Sequence, residues 1–320
     1  MRDRDLLNAL SSGKTFKVDE IACKLHADQI RGYVREDQIG PWSIQSPAMQ
    51  LAFKISFISI CHQFNWDFLQ DTLAKKLLTS NEHEFLHRLT TVKASDLSSW
   101  LADYPKQERV RAKERVQLLR DVGLNITSKF GSCAALYGEL NGRPLSVFRE
   151  KMEGFRAYRN DPLKKKTNVL THDLFKEQIL EFADPENIEP AVDYHIMRLY
   201  LRTGRVVPER KSLIPFLEGR PNPRGTLIRA LRIAVSEAEQ LTAQMAGLNV
   251  ADVNFIEWQV GRAVCKNAVP LCEASVVPDL ANDVSALCTS GCPYSTSCLA
   301  YTSMHSFLQF EEPTYASTDY

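Results

Sequence analysis

The chain lacks any run of about eighteen consecutive apolar residues, which is the length that a helix needs to cross a bilayer. We therefore expect no membrane span. The chain also lacks an excess of either charge, because 39 Lys and Arg residues balance 39 Asp and Glu residues. A protein that binds along a nucleic-acid backbone usually has a basic excess, so any basic surface must be local.

The first residues lack the apolar segment of a secretory signal. Residues 1–5 read Met-Arg-Asp-Arg-Asp, and no apolar h-region follows them. We therefore expect a soluble, cytoplasmic protein, which we expect to be a monomer with no membrane partner.

The sequence shows neither an internal repeat nor the period-2 alternation of half-buried strands. Apolar residues recur at helical spacing instead, which predicts helices within 17–32, 51–78, 84–101, 107–120, 168–182, 224–245 and 250–265. After Gly204 the chain becomes rich in proline, which predicts a wrapping loop rather than a strand. These prolines are Pro208, Pro215, Pro221 and Pro223. The predicted fold class is all-α.

Two of these patterns have more than one interpretation. Trp66 and Phe64 suit a base-stacking pocket, and they also suit an aromatic core. The helix at 107–120 has a basic face, which suits either contact with phosphates or exposure to solvent. Its basic residues are Arg109, Arg111, Lys113, Arg115 and Arg120.

Residues 191–204 have the pattern of a short capped helix. Pro190 precedes it, Asp193 stands where an N-cap or first-turn acid belongs, and Gly204 marks its end. Four cationic side chains share one stripe at helical spacing, namely His195, Arg198, Arg202 and Arg205. This pattern favours either a helix that holds an anionic substrate or a surface helix with a solvated arginine face.

The eight cysteines are unevenly placed. Cys23, Cys61 and Cys133 are scattered among helical patterns, as buried small residues are. The other five are Cys265, Cys272, Cys288, Cys292 and Cys298. In a cytosolic chain such clustering indicates metal more than disulfides, and the short spacings suit a tetrahedral ion or a cubane Fe–S cluster.

Two motifs together carry a resemblance to a known family. The first is Gly261-Arg262-x-x-Cys265, followed by Pro270-x-Cys272 and Cys292-Pro-x4-Cys298, and the second is Val192-Asp193-Tyr194-His195-Ile196-x-Arg198. Both resemble motifs of the helix-hairpin-helix DNA glycosylases, the endonuclease III and 8-oxoguanine glycosylase superfamily. In that superfamily the cysteine loop holds a 4Fe–4S cluster, and the aspartate is the essential acid.

The resemblance implies an all-α protein with two helical lobes and a C-terminal metal-cluster loop at about 262–299. One lobe would be 48–188; the segment 1–47 would pack with the other lobe, 189–320. Asp193 would be catalytic. Cys265, Cys272, Cys292 and Cys298 would bind the 4Fe–4S cluster, with Cys288 as an alternative ligand and zinc as an alternative metal. The expected activity is hydrolysis of the N-glycosidic bond of a modified or damaged, purine-type base in DNA.

The sequence departs from that family in three places. Glu273-Ala274-Ser275 stands where the third cysteine should follow the second, and residues 176–187 contain no glycine for the family's hairpin. Leu174 stands where a lysine would form a Schiff base. We therefore predict hydrolysis without lyase activity.

A second resemblance connects the chain with queuosine-salvage nucleotide glycosylases, which act on a free deazaguanine nucleotide and lack the hairpin. It rests on Lys164-Lys165 to Asp173-Leu174, on Phe182 to Asp184 and on Ala191 to His195. A cluster-bearing nucleic-acid binding module without catalysis is the third hypothesis. The predicted substrate contacts are Tyr194, His195, Arg198, Lys164, Lys165 and Trp66.

Overall fold

The computed structural model describes residues 15–35, 40, 42–78, 81–217, 225–267, 269–274, 277–278 and 280–303. This part of the chain is mostly helical, which confirms the all-α prediction. In chain order its elements are β1 (Phe16–Val18), α1 (Glu20–Ile30), α2 (Pro47–Ile60), α3 (Trp66–Leu77), α4 (Glu82–Thr91), α5 (Ala94–Trp100), α6 (Ala112–Asn125), α7 (Cys133–Leu140), α8 (Leu145–Met152), α9 (Arg156–Arg159), α10 (Lys165–Lys176), α11 (Tyr194–Thr203), β2 (Val206–Pro208), α12 (Gly225–Ala246), α13 (Val250–Gln259), α14 (Asn282–Leu287) and α15 (Leu299–Thr302).

Shorter helical turns complete these elements. Single π-turns follow α6 at Ile126–Phe130 and α13 at Val260–Val264, and 3-10 turns occur at Gln107–Arg109, Pro185–Asn187 and Lys211–Phe216. Within the ranges above, every helix is too short or too polar to cross a bilayer.

The described residues belong to two compact units. Unit 1 contains those within Met1–Glu36 and Glu189–Ala316, and unit 2 contains those within Asp37–Ile188. The sequence-based division had its boundaries after residues 47 and 188. The chain thus leaves unit 1 before α2 and returns to it just before α11.

Unit 2 contains α2 as a helix that is buried on almost every side. Ser46 caps it and Pro47 opens its first turn, as expected for a helix start. Lys54 lies in its middle with a fully buried ammonium group, which binds the carboxylates of Asp173 at 3.1 Å and Glu177 at 2.5 Å. This buried cation is paired, as burial requires.

The C-terminal end of α2 is capped by a cation that the sequence pattern placed on a basic face. Arg115 of α6 is 0% exposed. Both interpretations of the basic face, contact with phosphates and exposure to solvent, are therefore wrong for this residue. Its guanidinium donates to the main-chain carbonyls of Ile60, His62, Arg109 and Val110. The last carbonyls of a helix have no partner within the helix, and this end lies inside the core, so it needs a donor from elsewhere.

Unit 1 is built around α12, its longest helix, which packs against α1. Asp19 caps α1 by accepting a hydrogen bond from Ala22 N at 2.9 Å. The prediction of a loop after Gly204 is wrong for the first residues, because Val206–Pro208 pairs antiparallel with Phe16–Val18. A proline is tolerated at the end of such a short edge strand. Pro221 and Pro223 lie outside the described residues.

We expect Arg115→Met to destabilise the protein by at least about 3 kcal/mol, since each buried carbonyl that loses its donor costs about 1–3 kcal/mol. Chemical denaturation measures the free energy of unfolding. The control is Arg109→Met, because the Arg109 side chain is 44% exposed, and a surface change of this kind stays within about 0.5 kcal/mol. Equal effects in the two variants would contradict a capping role for Arg115.

Candidate functional site

Asp193 is the N-cap residue of α11, as the sequence predicted. Its backbone is extended, and its Oδ1 accepts a hydrogen bond from Ile196 N at 3.0 Å. The residue is 5% exposed. Its other oxygen, Oδ2, accepts no hydrogen bond from any residue that the structure describes. At the far end of the helix, Gly204 adopts the left-handed conformation with φ of 80°, which glycine tolerates best.

The arginine stripe of α11 is buried. Arg198, Arg202 and Arg205 are 2%, 1% and 0% exposed, so the interpretation as a solvated arginine face is wrong. Arg198 and Arg202 lie on α11 as the pattern predicted, whereas Arg205 follows the end of the helix at Gly204. The pattern did not show that this stripe faces another part of unit 1.

Two of these arginines connect α11 to the segment that enters the cysteine loop. Arg198 donates from Nε to Cys265 O at 2.7 Å and from Nη2 to Gly261 O at 2.8 Å. Arg202 donates to the carbonyls of Lys266 at 2.7 Å and Asn267 at 2.9 Å. The helix that begins at Asp193 is therefore bound to the residues on both sides of Cys265.

The π-turn at Val260–Val264 brings that segment into place. Cys265 N donates to Val260 O at 2.8 Å, which closes the wider turn. Such turns are frequent at functional sites. Gly261 lies so close to α11 that a Cβ atom there would be 2.8 Å from His195 O. The close packing of the π-turn against α11 therefore requires glycine at this position.

Four of the five late cysteines act on one another electrostatically. The pKa of Cys272 is raised to about 11 by burial and then by the charges of Cys265 and Cys298. The pKa of Cys292 is raised well above its ordinary value by burial, and Cys265, Cys272 and Cys298 raise it further. Cys292 N also donates to Cys272 O at 2.8 Å. All are free thiols.

Arg202 reaches this group as well. Its Nη1 lies 3.6 Å from the Sγ of Cys265, and its carbonyl oxygen lies 3.5 Å from the Sγ of Cys298. Arg202 of α11 thus contacts the segment after the π-turn and the Cys265 thiol with its side chain, and the Cys298 thiol with its main chain.

Cys288 differs from the other four. It follows α14 and is 3% exposed, and burial alone raises its pKa to about 11. No other cysteine contributes to that shift.

Two tyrosines hold the segment between Cys272 and Cys292. Tyr33 donates to Asp283 at 2.5 Å and Tyr301 donates to Glu273 at 2.7 Å, which fixes this segment against the rest of unit 1.

The chemistry of these thiols distinguishes two kinds of metal group. A single zinc ion holds all its sulfur ligands about 2.3 Å from one point. Among the described residues, no three Cys, His, Asp or Glu side chains are arranged in that way. In a 4Fe–4S cluster each thiolate binds a different iron atom, so the sulfur atoms stay further apart. Thiolates are ligands of both kinds of metal group, so the four cysteines stay candidate ligands for either.

The remaining predicted contact residues fall into two groups. Tyr194 and His195 are half-buried on α11 with their rings 4.1 Å apart, and the Nδ1 of His195 lies 3.0 Å from Arg198 Nη2. These residues accompany Asp193 in unit 1. Their roles in binding stay predictions.

Lys164, Lys165 and Trp66 belong to unit 2. Lys164 precedes α10 with φ of 52° and pairs with Glu153 at 2.7 Å. The main-chain N–H of Lys165 donates to Asp161 at 2.8 Å. Trp66 opens α3 with its ring edge-on to Phe57 at 4.5 Å, so it packs beside the core. Contact of these residues with a substrate stays a prediction.

The residues before α11 are those that lack the glycine-containing hairpin motif of the resembled family. Between Lys176 and Tyr194 the chain forms the 3-10 turn at Pro185–Asn187 and an isolated β-bridge from Phe182 to Arg143. Leu174, which replaces the lyase lysine of the resembled family, is 0% exposed in α10.

Sequence reasoning missed the charged residues in the core of unit 1. Glu239 of α12 and Glu257 of α13 are both 0% exposed, and Arg205 is buried with them. A signal existed, because Glu257 stands between Ile256 and Trp258 in an otherwise apolar stretch.

No protein-family model matches this chain, and no curated protein has a sequence that matches it significantly.

We expect Gly261→Ala to lower the free energy of unfolding by about 1–3 kcal/mol, the usual cost of forcing an extra carbon into a packed contact. Chemical denaturation followed by circular dichroism measures it. Gly138→Ala in α7 is the matched control, because a Cβ atom there meets nothing within 4 Å. Alanine in such a helix is neutral or stabilises by up to about 1 kcal/mol. A neutral result at Gly261 would contradict the close approach to His195.

Proposed function

We propose that this protein is an N-glycosylase that hydrolyses the N-glycosidic bond of a modified or damaged, purine-type base in nucleic acid, with Asp193 as the essential acid. The observation that carries the proposal is the state of the Asp193 carboxylate. One oxygen is fixed by the cap hydrogen bond while the other accepts none from the described residues, and the helix behind it is bound to a loop of four neighbouring thiols.

The chemistry requires a negative charge beside the sugar. As the bond from the anomeric carbon to the base nitrogen breaks, the electron pair leaves with the base and positive charge develops on the sugar. A carboxylate stabilises that charge, and it can orient the water whose oxygen then bonds to the anomeric carbon. A helix start favours a negative charge, which suits charge stabilisation at Asp193.

Hydrolysis without strand cleavage follows from Leu174. A lyase step needs an amine that forms a Schiff base with the sugar, and a buried leucine stands at the corresponding position. Water is therefore the proposed nucleophile.

The proposal includes a 4Fe–4S cluster bound by Cys265, Cys272, Cys292 and Cys298, with zinc as the alternative. Its role would be structural. Metal binding needs deprotonated thiols, and the guanidinium of Arg202 lies 3.6 Å from the Cys265 Sγ. Arg198 and Arg202 would then hold the catalytic helix against the loop.

Asp193→Asn is expected to abolish base release while the protein stays folded, because asparagine is an equally good N-cap but carries no charge. Liberated bases are measured by mass spectrometry after incubation with damaged DNA and with nucleotide pools. Asp19→Asn is the matched control, since Asp19 makes the same cap bond in unit 1 at 2.9 Å. Full activity of Asp193→Asn would remove Asp193 from the mechanism.

The two substrate pools separate the competing hypotheses. Release from DNA that weakens with rising salt supports a nucleic-acid substrate. Release from free nucleotides alone would replace it with the deazaguanine nucleotide hypothesis. DNA binding without release of any base would support the third hypothesis, a nucleic-acid binding module without catalysis.

Alanine substitution of Cys265, Cys272, Cys292 or Cys298 is expected to remove bound iron and the visible absorption of an Fe–S cluster, because each would supply one iron ligand. Iron and zinc analysis of the purified protein measures the metal. Cys288→Ala is the matched control, since Cys288 is a buried cysteine of the same loop that the proposal does not assign as a ligand. Loss of metal in Cys288→Ala with retention in Cys272→Ala would contradict the assigned ligands.

A further inference from the structure

Six polar side chains fill the core of unit 1 without contact with solvent. They come from α1, α11, the turn after α11, α12, α13 and the residues before α15, and each is 0% exposed. They are His26, Tyr200, Arg205, Glu239, Glu257 and Tyr294. Two of them are acids and one is a permanent cation, so their charges do not balance if both acids are ionised.

The charge of Arg205 is directed at Glu257. Its Nη1 donates to the Oε1 of Glu257 in a buried ion pair, and its Nε donates to the Thr203 hydroxyl at 3.1 Å. The guanidinium lies over the ring of Tyr200 at 3.7 Å. Glu257 therefore has a close cationic partner through one oxygen, while its Oε2 has no hydrogen-bond partner among the described residues.

Glu239 has no such partner. Its Oε1 accepts a hydrogen bond from the Asn254 amide at 2.7 Å, and its Oε2 has no hydrogen-bond partner among the described residues. Burial raises the pKa of Glu239 well above its ordinary value and the negative charge of Glu257 raises it further, against smaller opposite effects from the Asn254 hydrogen bond and the charge of Arg205. An isolated buried carboxylate is among the most costly groups that a core can hold.

The other groups that face this core supply no second cation. The His26 Nδ1 lies 2.7 Å from Ala22 O, and burial followed by the charge of Arg205 lowers the His26 pKa to about 3. Cys23 of α1 has a pKa raised by burial, and so have Tyr200 and Tyr294, so these groups stay neutral.

Arg198 and Arg202 of α11 direct their guanidinium groups at main-chain carbonyls around Cys265, and neither is among the charges that most shift the pKa of Glu239. Arg232 of α12 lies seven residues before Glu239, about 10.5 Å along the helix axis. It is not among the charges that most shift the pKa of Glu239. Lys17 of β1 is exposed.

We propose that Glu239 is a neutral carboxylic acid in the folded protein at neutral pH, and that the core of unit 1 therefore loses stability as the pH rises above the range in which an unfolded glutamate ionises. A neutral acid balances the core, because one carboxylate then faces one guanidinium. The inference is independent of the proposed glycosylase activity.

The sign of the pH dependence follows from linkage. A group whose pKa is higher in the folded state contributes stability below its unfolded pKa, and this stability is lost as the pH rises toward the folded pKa. An unfolded glutamate ionises near pH 4.3. Above that pH, unfolding releases the Glu239 proton, so the unfolding equilibrium constant should rise up to tenfold per pH unit relative to a protein without this group.

The test compares wild type with Glu239→Gln, in which an amide of the same shape keeps the Asn254 contact without an ionisable group. Unfolding equilibrium constants are measured at several values between pH 5.5 and pH 8.5. We expect the ratio of wild type to variant to grow by up to tenfold per pH unit. Glu237→Gln is the matched control on the exposed side of α12, and its ratio to wild type should stay constant.

A ratio that is the same at every pH would overturn the proposal. If Glu239→Gln does not fold, infrared spectroscopy of the wild type decides the question. A carboxylic-acid C=O band that persists at neutral pH in the folded protein supports a neutral Glu239, and absence of that band overturns it.

Discussion

The contact on which unit 1 depends most is the pair of arginines that joins α11 to the chain around Cys265. Arg198 and Arg202 donate to main-chain carbonyls on both sides of this cysteine. A guanidinium has five donors in a fixed plane, so each can hold two carbonyls at once. This arrangement makes the position of Asp193 depend on the position of the cysteine loop.

The same requirement explains why these cations are inside the protein. The π-turn and the residues after it leave carbonyl groups without helical partners, and such groups need donors when they are buried. Arg115 meets the same need at the end of α2 in unit 2. In both units a long cationic side chain satisfies buried backbone, whereas Lys54 and Arg205 are paired with carboxylates.

Much of the local structure could be predicted from sequence. Helical periodicity located the main helices, because apolar side chains must face the core at each turn. The roles of Asp193 and Gly204 at the ends of α11 followed from the chemistry of caps alone. Arg115 and Val206–Pro208 were misjudged for one reason. Charge and proline content describe the preferences of a single segment. Arg115 is buried because the end of a neighbouring helix needs its donors, and Val206–Pro208 is a strand because β1 pairs with it.

The sequence alone thus located many of the helices and both ends of α11, and it indicated which cysteines share a loop. It could not determine which face of α11 is buried, that burial alone raises the pKa of Cys288, or that Glu239 and Glu257 lie in one core in which Arg205 pairs with Glu257. Those properties depend on side chains far apart in sequence, and only the packing of α1, α11, α12 and α13 brings them together. Burial then decides the chemistry, because removing water changes the free energy of every charge.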